Sequence, residues 1–333
     1  MGTSEDTGDP TETESGANAP EDTSTVLPEI QHIRWLDPVP QLKKATLIVA
    51  FEGWNDAGSA ATMAAKHLSK HWSCKTVANI DPEQFYNFTS TRPVVQFNKQ
   101  PKRTLKWPSN EFKVARLPQG RTDVVLLIGV EPQLRWRTFC DRIIATAEVL
   151  NTDSVVTLGS LLAEVPHSRP VEVYGTADNK TLRTTYELSP STYEGPTGIV
   201  GVLASACREA GYPTASFWSA VPSYTPGTPY PKAALALVNR AAAVVGTSMA
   251  TVNLERTAFV YEREITQLME KDEETSEYVK RLEQAWDDVK GSTLQINETA
   301  ESEADANDPV LENDPTTLLT EVEEFLRDTK EED

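Results

Sequence analysis

The stretch FEGWNDAGSAATMAAKHL, residues 51–68, places glycines and two polar side chains directly after an apolar run. Gly53 and Gly58 have the spacing of the glycines in a nucleotide-binding P-loop, but a serine stands where such a loop has its phosphate-binding lysine. This substitution argues against a phosphate loop. Asn55 and Asp56 remain either as an acid/base site, with Asp56 the acid or base and Asn55 its orienting partner, or as the cap of the following helix.

A second glycine-bearing helix entry is STYEGPTGIVGVL, residues 191–203. Its candidate ligand-binding residues are Gly195, Thr197 and Gly198, because the N–H groups at a helix start can hold an anion. Close packing of the helix on a sheet would explain the same glycines. Gly53, Trp54 and Ser160 are further ligand-binding candidates, since ligands of open α/β sheets bind beyond the carboxyl ends of strands.

The segment GSLLAEVPHSRP, residues 159–170, carries Ser160, His167 and Arg169. Ser160 does not lie in a G-x-S-x-G motif, so a nucleophilic triad would need a carboxylate such as Glu131 from elsewhere in the fold. His167 and Arg169 form a candidate anion-binding pair between two prolines. An ordered surface loop is the alternative interpretation.

Metal and cofactor motifs are weak. His67 and His71 have the spacing of two zinc ligands on a helix, but the glutamate of an H-E-x-x-H motif is missing. There is also no G-x-G-x-x-G for a dinucleotide. The three cysteines are far apart without a C-x-x-C, which favours a reducing cytoplasm over a disulfide framework. We expect neither a metal nor a cofactor.

The net charge of −19 lies mainly in the two ends of the chain. Residues 1–28 contain seven acids and no Lys or Arg, and residues 291–333 contain fourteen acids against two bases. Residues 29–290 therefore hold 29 acids and 29 bases. A neutral core without a basic stripe argues against nucleic-acid binding. No apolar stretch reaches the roughly 18 residues that a membrane span needs.

Short β-branched runs alternate with helical patterns, which predicts an α/β fold with a largely parallel or mixed sheet. The segment from residue 92 to residue 118 alternates in polarity and is expected to form antiparallel excursions at the sheet edge. The predicted strands are 45–52, 76–80, 123–130, 154–158 and 215–221, and the predicted helices are 57–71, 136–150, 197–210 and 231–245.

Four regions follow from these patterns: a disordered acidic tail (1–28), an α/β core domain (29–250), a helical region (251–290) and an acidic tether with a short amphipathic helix (291–333). The helical region has a heptad seam that includes Leu254, Ala258, Tyr261, Ile265 and Leu268 and is then interrupted by polar positions. The pattern allows one long helix or two helices hinged near KDEETS. The seam could pack on its own domain or on another subunit.

Four separated segments together resemble the PAC2 family, the proteasome assembly chaperone family, and its bacterial branch in particular. They are LIVAFEGWNDAGSAA, LGSLLAEVPHSRPV, YEGPTGIVGVL and AVPSYTPGTPYPKAALAL. The resemblance implies a three-layer α/β/α domain similar to phosphorylase/hydrolase-like folds, with a mixed central sheet and a helical C-terminal region. It also implies homo-oligomers, including trimers. Some archaeal relatives dock on proteasome rings through a C-terminal hydrophobic residue, tyrosine and one more residue, a pattern from which RDTKEED departs.

Three functions stay open. The leading expectation is a homo-oligomeric protein-binding or assembly-chaperone-like protein whose partners are itself and a proteasome-related complex. The second is an enzyme, phosphorylase/hydrolase-like or carboxylate-amine ligase-like, with Asp56, Asn55, Glu131 and His167 as candidate catalytic residues. The third is an oligomeric scaffold. Fold similarity alone does not decide among them.

Overall fold

The computed structural model describes residues 27–97, 102–225 and 227–300, with side chains up to residue 289. An eight-stranded sheet forms its centre, in the order β1-β3-β6-β7-β2-β8-β10-β9, and β4 and β5 form a separate two-stranded sheet. The strands are β1 (Ile33–Trp35), β2 (Ala45–Glu52), β3 (Lys75–Ile80), β4 (Val94–Phe97), β5 (Arg103–Lys106), β6 (Asn110–Ala115), β7 (Asp123–Val130), β8 (Thr152–Ala163), β9 (Val173–Ala177) and β10 (Thr214–Pro222).

The four central strands, β7, β2, β8 and β10, run parallel, and antiparallel strands flank them on both sides. In β2, Leu47 and Ile48 are both fully buried. Successive side chains of a strand point to opposite faces, so a strand covered on both faces needs an unbroken apolar run. The apolar runs in the sequence therefore mark the centre of this sheet.

Helices cover both faces of the sheet. They are α1 (Ala60–His71), α2 (Trp136–Val149), α3 (Lys180–Tyr186), α4 (Ile199–Glu209), α5 (Pro231–Val245), α6 (Val252–Met269) and α7 (Glu273–Ala300). Ile48 packs in the core with α1 and α5, whereas Leu47 packs in the core with α2 and α4. This arrangement confirms the predicted three-layer α/β/α fold with a mixed sheet.

The described strands between residues 92 and 118 are antiparallel as predicted, but the predicted place at the sheet edge is wrong for β6. That strand pairs with β3 on one side and β7 on the other. Phe112 of β6 is fully buried, so the strand belongs to the core. Among the described strands, only β4 and β5 lie outside the main sheet.

The C-terminal region consists of two helices, which decides between the two alternatives left by the sequence. Asp272 separates them and caps α7, because its Oδ2 accepts hydrogen bonds from the N–H and the hydroxyl of Thr275 at 2.9 and 2.5 Å. Leu254 and Ala258 of α6 are buried, and Leu254 joins the core of α1 and α5. The seam of α6 thus packs on its own domain. α7 continues across residue 290, and the amphipathic helix expected in the tether lies outside the described residues.

Candidate functional site

The loop after β2 is anchored to β8. The N–H of Ser160 donates to the carbonyl of Asn55 at 2.9 Å, and the hydroxyl of Ser160 donates to the carbonyl of Ala57 at 2.8 Å. Ser160 is fully buried. Its hydroxyl therefore holds the loop in place, and the parallel pairing of β2 with β8 brings Asn55 and Ser160 together.

Glu131, the first residue after β7, joins the β2 loop to the start of α4. Its Oε2 accepts a hydrogen bond from the N–H of Trp54 at 3.1 Å, and its Oε1 accepts one from the N–H of Ile199 at 2.9 Å. The first N–H groups of a helix lack intrahelical partners and carry the positive end of its dipole, so a carboxylate is a favourable partner. Glu131 occupies the position where the sequence predicts an anion beside Thr197 and Gly198.

Two glycines permit this close arrangement. A Cβ on Gly53, whose φ is +148°, would lie 2.7 Å from Glu131 Oε2. A Cβ on Gly198 would lie 2.0 Å from Asn55 Oδ1 and 3.0 Å from Glu131 Oε1. Ordinary contacts between carbon and oxygen are about 3.3 Å or longer. The packing of loop, carboxylate and helix therefore requires glycine at both positions, with or without a ligand.

Asn55 carries the unsatisfied polar atom of this junction. Its Oδ1 is buried, and no hydrogen-bond donor reaches it within the part of the chain that the structure describes. A buried polar atom left without a partner costs about 1–3 kcal/mol. A ligand with a donor group would find its acceptor here.

Asp56 caps α1. Its Oδ1 accepts hydrogen bonds from the N–H groups of Ala61 and Thr62 at 2.8 and 3.1 Å, and its Oδ2 accepts one from the Thr62 hydroxyl at 2.5 Å. The residue is only 9% exposed. Burial raises the pKa of the carboxyl group, and the hydrogen bonds from Thr62 and Ala61 oppose that rise. The capping interpretation of the sequence is confirmed, since both carboxylate oxygens bind α1.

His167 contacts the C-terminal helical region rather than the β2 loop. Its Nδ1 is 2.7 Å from the Tyr224 hydroxyl, and its Nε2 is 3.0 Å from the Thr266 hydroxyl of α6. The residue is 2% exposed, and burial lowers the pKa of its imidazole. Both ring nitrogens have partners, and neither partner is Asp56 or Glu131. The structure therefore divides the four catalytic candidates between two places.

Arg169 forms an ion pair with α7. Its Nε and Nη2 donate to Oδ1 and Oδ2 of Asp287 at 2.8 and 2.6 Å, and its Nη1 lies 3.5 Å from Glu283 Oε1. The hydroxyl of Ser168 also donates to Glu283. Carboxylates of the chain itself thus occupy the guanidinium for which the sequence predicts an external anion. The loop PHSRP, residues 166–170, attaches both C-terminal helices to the core.

Sequence reasoning missed the residues that support His167. Lys232 donates to the carbonyl of His167 at 2.8 Å and forms an ion pair with Glu262 of α6. Lys232 further lowers the pKa of His167, whereas Glu262 and Glu283 oppose that effect. The segment AVPSYTPGTPYPK carries both Tyr224 and Lys232. Its pattern marks the segment as distinctive, but it gives no indication of the partners.

The remaining ligand-binding candidates are exposed before α4, and the two histidines considered as zinc ligands pack against each other. Gly195 and Thr197 are exposed in the segment before α4. The rings of His67 and His71 stack with centroids 4.1 Å apart. Across the described residues, no group of three or more His, Cys, Asp and Glu side chains has the geometry of a metal site. In the same residues, no helix combines the length and apolarity needed to cross a membrane.

Large apolar side chains stand on two outer surfaces. One is the β4–β5 hairpin, on which Phe97 is 71% exposed. The other is the outer face of α6, where Phe259 is 65% exposed and Val252 and Val260 are also exposed. Scattered apolar residues on a surface need no explanation, whereas clusters of them mark contact sites.

The model of the PAC2 family matches residues 50–269. The chain belongs to the PAC2 family. A proteasome-assembly chaperone homologue of Mycobacterium tuberculosis is 44% identical, with a TM-score of 0.64 over 70% of this chain and 99% of that chain. A PAC2 family protein of Streptomyces avermitilis is 40% identical, with a TM-score of 0.66 over 71% of this chain and 100% of that chain. The family that the four sequence motifs indicate is confirmed.

More distant solved structures share the fold. PbaB of Pyrococcus furiosus, an archaeal proteasome activator, is 16% identical and has a TM-score of 0.58 over 71% of this chain and 97% of that chain. No curated protein matches the chain. The comparisons therefore support the family and the fold. The activity has to be inferred from the surfaces and sites of this chain.

Proposed function

We propose that the protein is a homo-oligomeric, protein-binding PAC2 factor that assists a proteasome-related complex in the cytoplasm. The outer face of α6, on which Val252, Phe259 and Val260 are exposed between the exposed Arg256 and Arg263, is the observation that carries the proposal. The same helix buries Leu254 and Ala258 against the core, so its outer face is held in a fixed position. A fixed surface that combines large apolar side chains with arginines is suited to bind another protein.

The contacts at the carboxyl end of the sheet support a protein partner over a substrate. Asp56 caps α1, Ser160 holds the β2 loop, and Glu131 binds the start of α4. Each of these side chains has a structural partner in the chain itself. The 44% identical relative is a proteasome-assembly chaperone homologue, which makes proteasome subunits the partners to test first.

The test mixes the purified full chain with purified proteasome α and β subunits of its own organism and follows complexes by native mass spectrometry. The wild type should form a defined complex with these subunits or change their rate of assembly. The double variant Val252→Asp/Phe259→Asp should weaken that effect about 30-fold, the loss typical of one or two central apolar contacts. The mass of the chain alone tests the homo-oligomer, for which we expect a trimer.

The matched control is Thr184→Asp/Thr185→Asp. Both residues are exposed on α3, a different helix, so the control adds the same charge away from the outer face of α6. It should behave as wild type. The proposal fails if the wild type leaves the subunits unaffected, and self-association without any effect on them would favour the scaffold.

A small-ligand function is the second candidate, and it rests on the buried Asn55 Oδ1 for which the described residues provide no donor. Nucleosides, nucleotides and amino acids can be titrated calorimetrically into the wild type and Asn55→Ala. Binding by the wild type and its loss in the variant would support the enzyme or a ligand-regulated protein. No binding by the wild type would remove this candidate.

A further inference from the structure

The β4–β5 hairpin has one apolar face. The register pairs Val95 with Leu105 and Phe97 with Arg103, so these side chains share a face of the two-stranded sheet. Trp107, two residues beyond Leu105, continues the same row and packs edge-on against Phe88 at 4.9 Å. We call Val95, Phe97, Leu105 and Trp107 the hairpin face; all four are exposed.

A segment packed on the hairpin face would stabilise the hairpin. An isolated two-stranded hairpin is at best marginally stable in water, and the hairpin makes no ladder with the main sheet. Covering its four large apolar side chains would add burial on one side and order both strands. Val94 and Lys106 of the other face line a groove of about 710 Å³ beside Lys70, and Trp107 at the end of the hairpin face borders the same groove.

The charge around the hairpin face defines the chemistry of the occupant. The stretch from residue 91 to residue 107 contains no Asp or Glu. Arg92, Arg103 and Lys106 are exposed in it. The complementary segment would have an apolar stripe with flanking acids, because opposite charges at a rim fix orientation and partner choice.

The chain itself contains such a segment. Residues 314–333 carry Leu318, Val322, Phe325 and Leu326 at the spacing of one helix face. Acids follow between them, at Glu321, Glu323 and Glu324. We propose that this acidic C-terminal segment docks on the hairpin face of its own molecule and covers the apolar side chains.

The linker is long enough for this contact. Ala300 is the last described residue, and the 18 residues from there to Leu318 can span about 60 Å when extended. A globular body of this size is about 50 Å across. The linker is thus longer than the width of the body, and tethering on this scale gives an effective concentration in the millimolar range, so weak affinity suffices for docking.

Hydrogen exchange of the full chain tests directly whether the C-terminal segment covers the hairpin face. In the wild type, backbone amides of β4 and β5 should exchange about tenfold more slowly than in Phe325→Asp/Leu326→Asp, as expected for a dissociation constant about ten times below the effective concentration. The control Thr317→Asp/Thr320→Asp adds the same charge on the opposite side of the predicted helix. It should exchange as wild type. Equal exchange in all three proteins would overturn the proposal.

Photo-cross-linking identifies the residues that the C-terminal segment contacts and shows whether they belong to the same molecule. A benzophenone amino acid in place of Phe325 should cross-link to Phe97, Leu105 or Trp107. An equal mixture of isotopically heavy and light protein then separates contacts within one molecule from contacts between two. Cross-links to the hairpin of a second copy, or to the outer face of α6, would overturn the assignment. Docking and the proposed function fail separately, because the first is measured on the isolated chain and the second on proteasome subunits.

Discussion

Replacing Gly198 by alanine should destabilise the protein through a clash at one atom. The added Cβ would lie 2.0 Å from Asn55 Oδ1 and 3.0 Å from Glu131 Oε1. Gly198 has φ −88° and ψ −175°, a backbone conformation that alanine adopts without strain. The cost is therefore steric, and it depends on whether the Asn55 side chain can move.

The distances set the magnitude. To restore a carbon–oxygen contact of about 3.3 Å, the Asn55 amide must retreat by roughly 1.3 Å. Overpacking a close-packed region costs about 1–3 kcal/mol, and a side chain pushed off its rotamer adds about 1 kcal/mol. We expect Gly198→Ala to lower the free energy of unfolding by about 2–4 kcal/mol.

Urea unfolding followed by tryptophan fluorescence checks this value in a double-mutant cycle. Asn55→Ala alone should not destabilise the protein, since it removes a buried Oδ1 that has no hydrogen-bond partner among the described residues. Combined with Gly198→Ala, it should recover at least about 1 kcal/mol, the coupling expected for residues in contact. Gly211→Ala is the control, with φ +88° and no heavy atom within 4 Å of its Cβ.

The control should lose about 1 kcal/mol from its left-handed backbone alone. If Gly198→Ala costs no more than Gly211→Ala, or if removing the Asn55 side chain gives no recovery, the steric explanation of this glycine is wrong.

Two further predictions concern His167 and the cap of α1. Burial lowers the pKa of His167 in the folded chain. As the pH falls below about 6.5, this histidine is therefore protonated in the unfolded chain before it is protonated in the folded chain. The free energy of unfolding then decreases with acidification, by up to about 1.4 kcal/mol per pH unit. His167→Gln should remove that slope from urea unfolding measured between pH 7.5 and 5; an unchanged slope would contradict it. Asp56→Ala leaves three hydrogen-bond donors of Ala61 and Thr62 without their acceptor. It should lower the free energy of unfolding by about 2–3 kcal/mol in the same assay. An unchanged unfolding midpoint would show that water replaces the carboxylate as the cap.

Local patterns predict much of the fold. The apolar run of β2 identifies a strand buried on both faces, and Asp56 before α1 identifies a cap, because both depend on near neighbours in the chain. Short or partly exposed elements escape this reasoning. β9 has only one buried residue, and α3 has none, so neither has a strong hydrophobic period. The hairpin was recognisable as antiparallel, but its separation from the main sheet was not.

The sequence by itself determined the α/β class, the neutral core with acidic ends and the family motifs, since composition and periodicity are properties of the chain. Only the tertiary structure decided what the polar motif residues contact. Glu131 lies 68 positions before Ile199, whose N–H it binds, and Arg169 lies 118 positions before Asp287. No local pattern encodes such pairs, because the sheet order and the return of α7 bring them together. Those long-range contacts show that the charged residues of the motifs hold loops and helices of the chain itself in place.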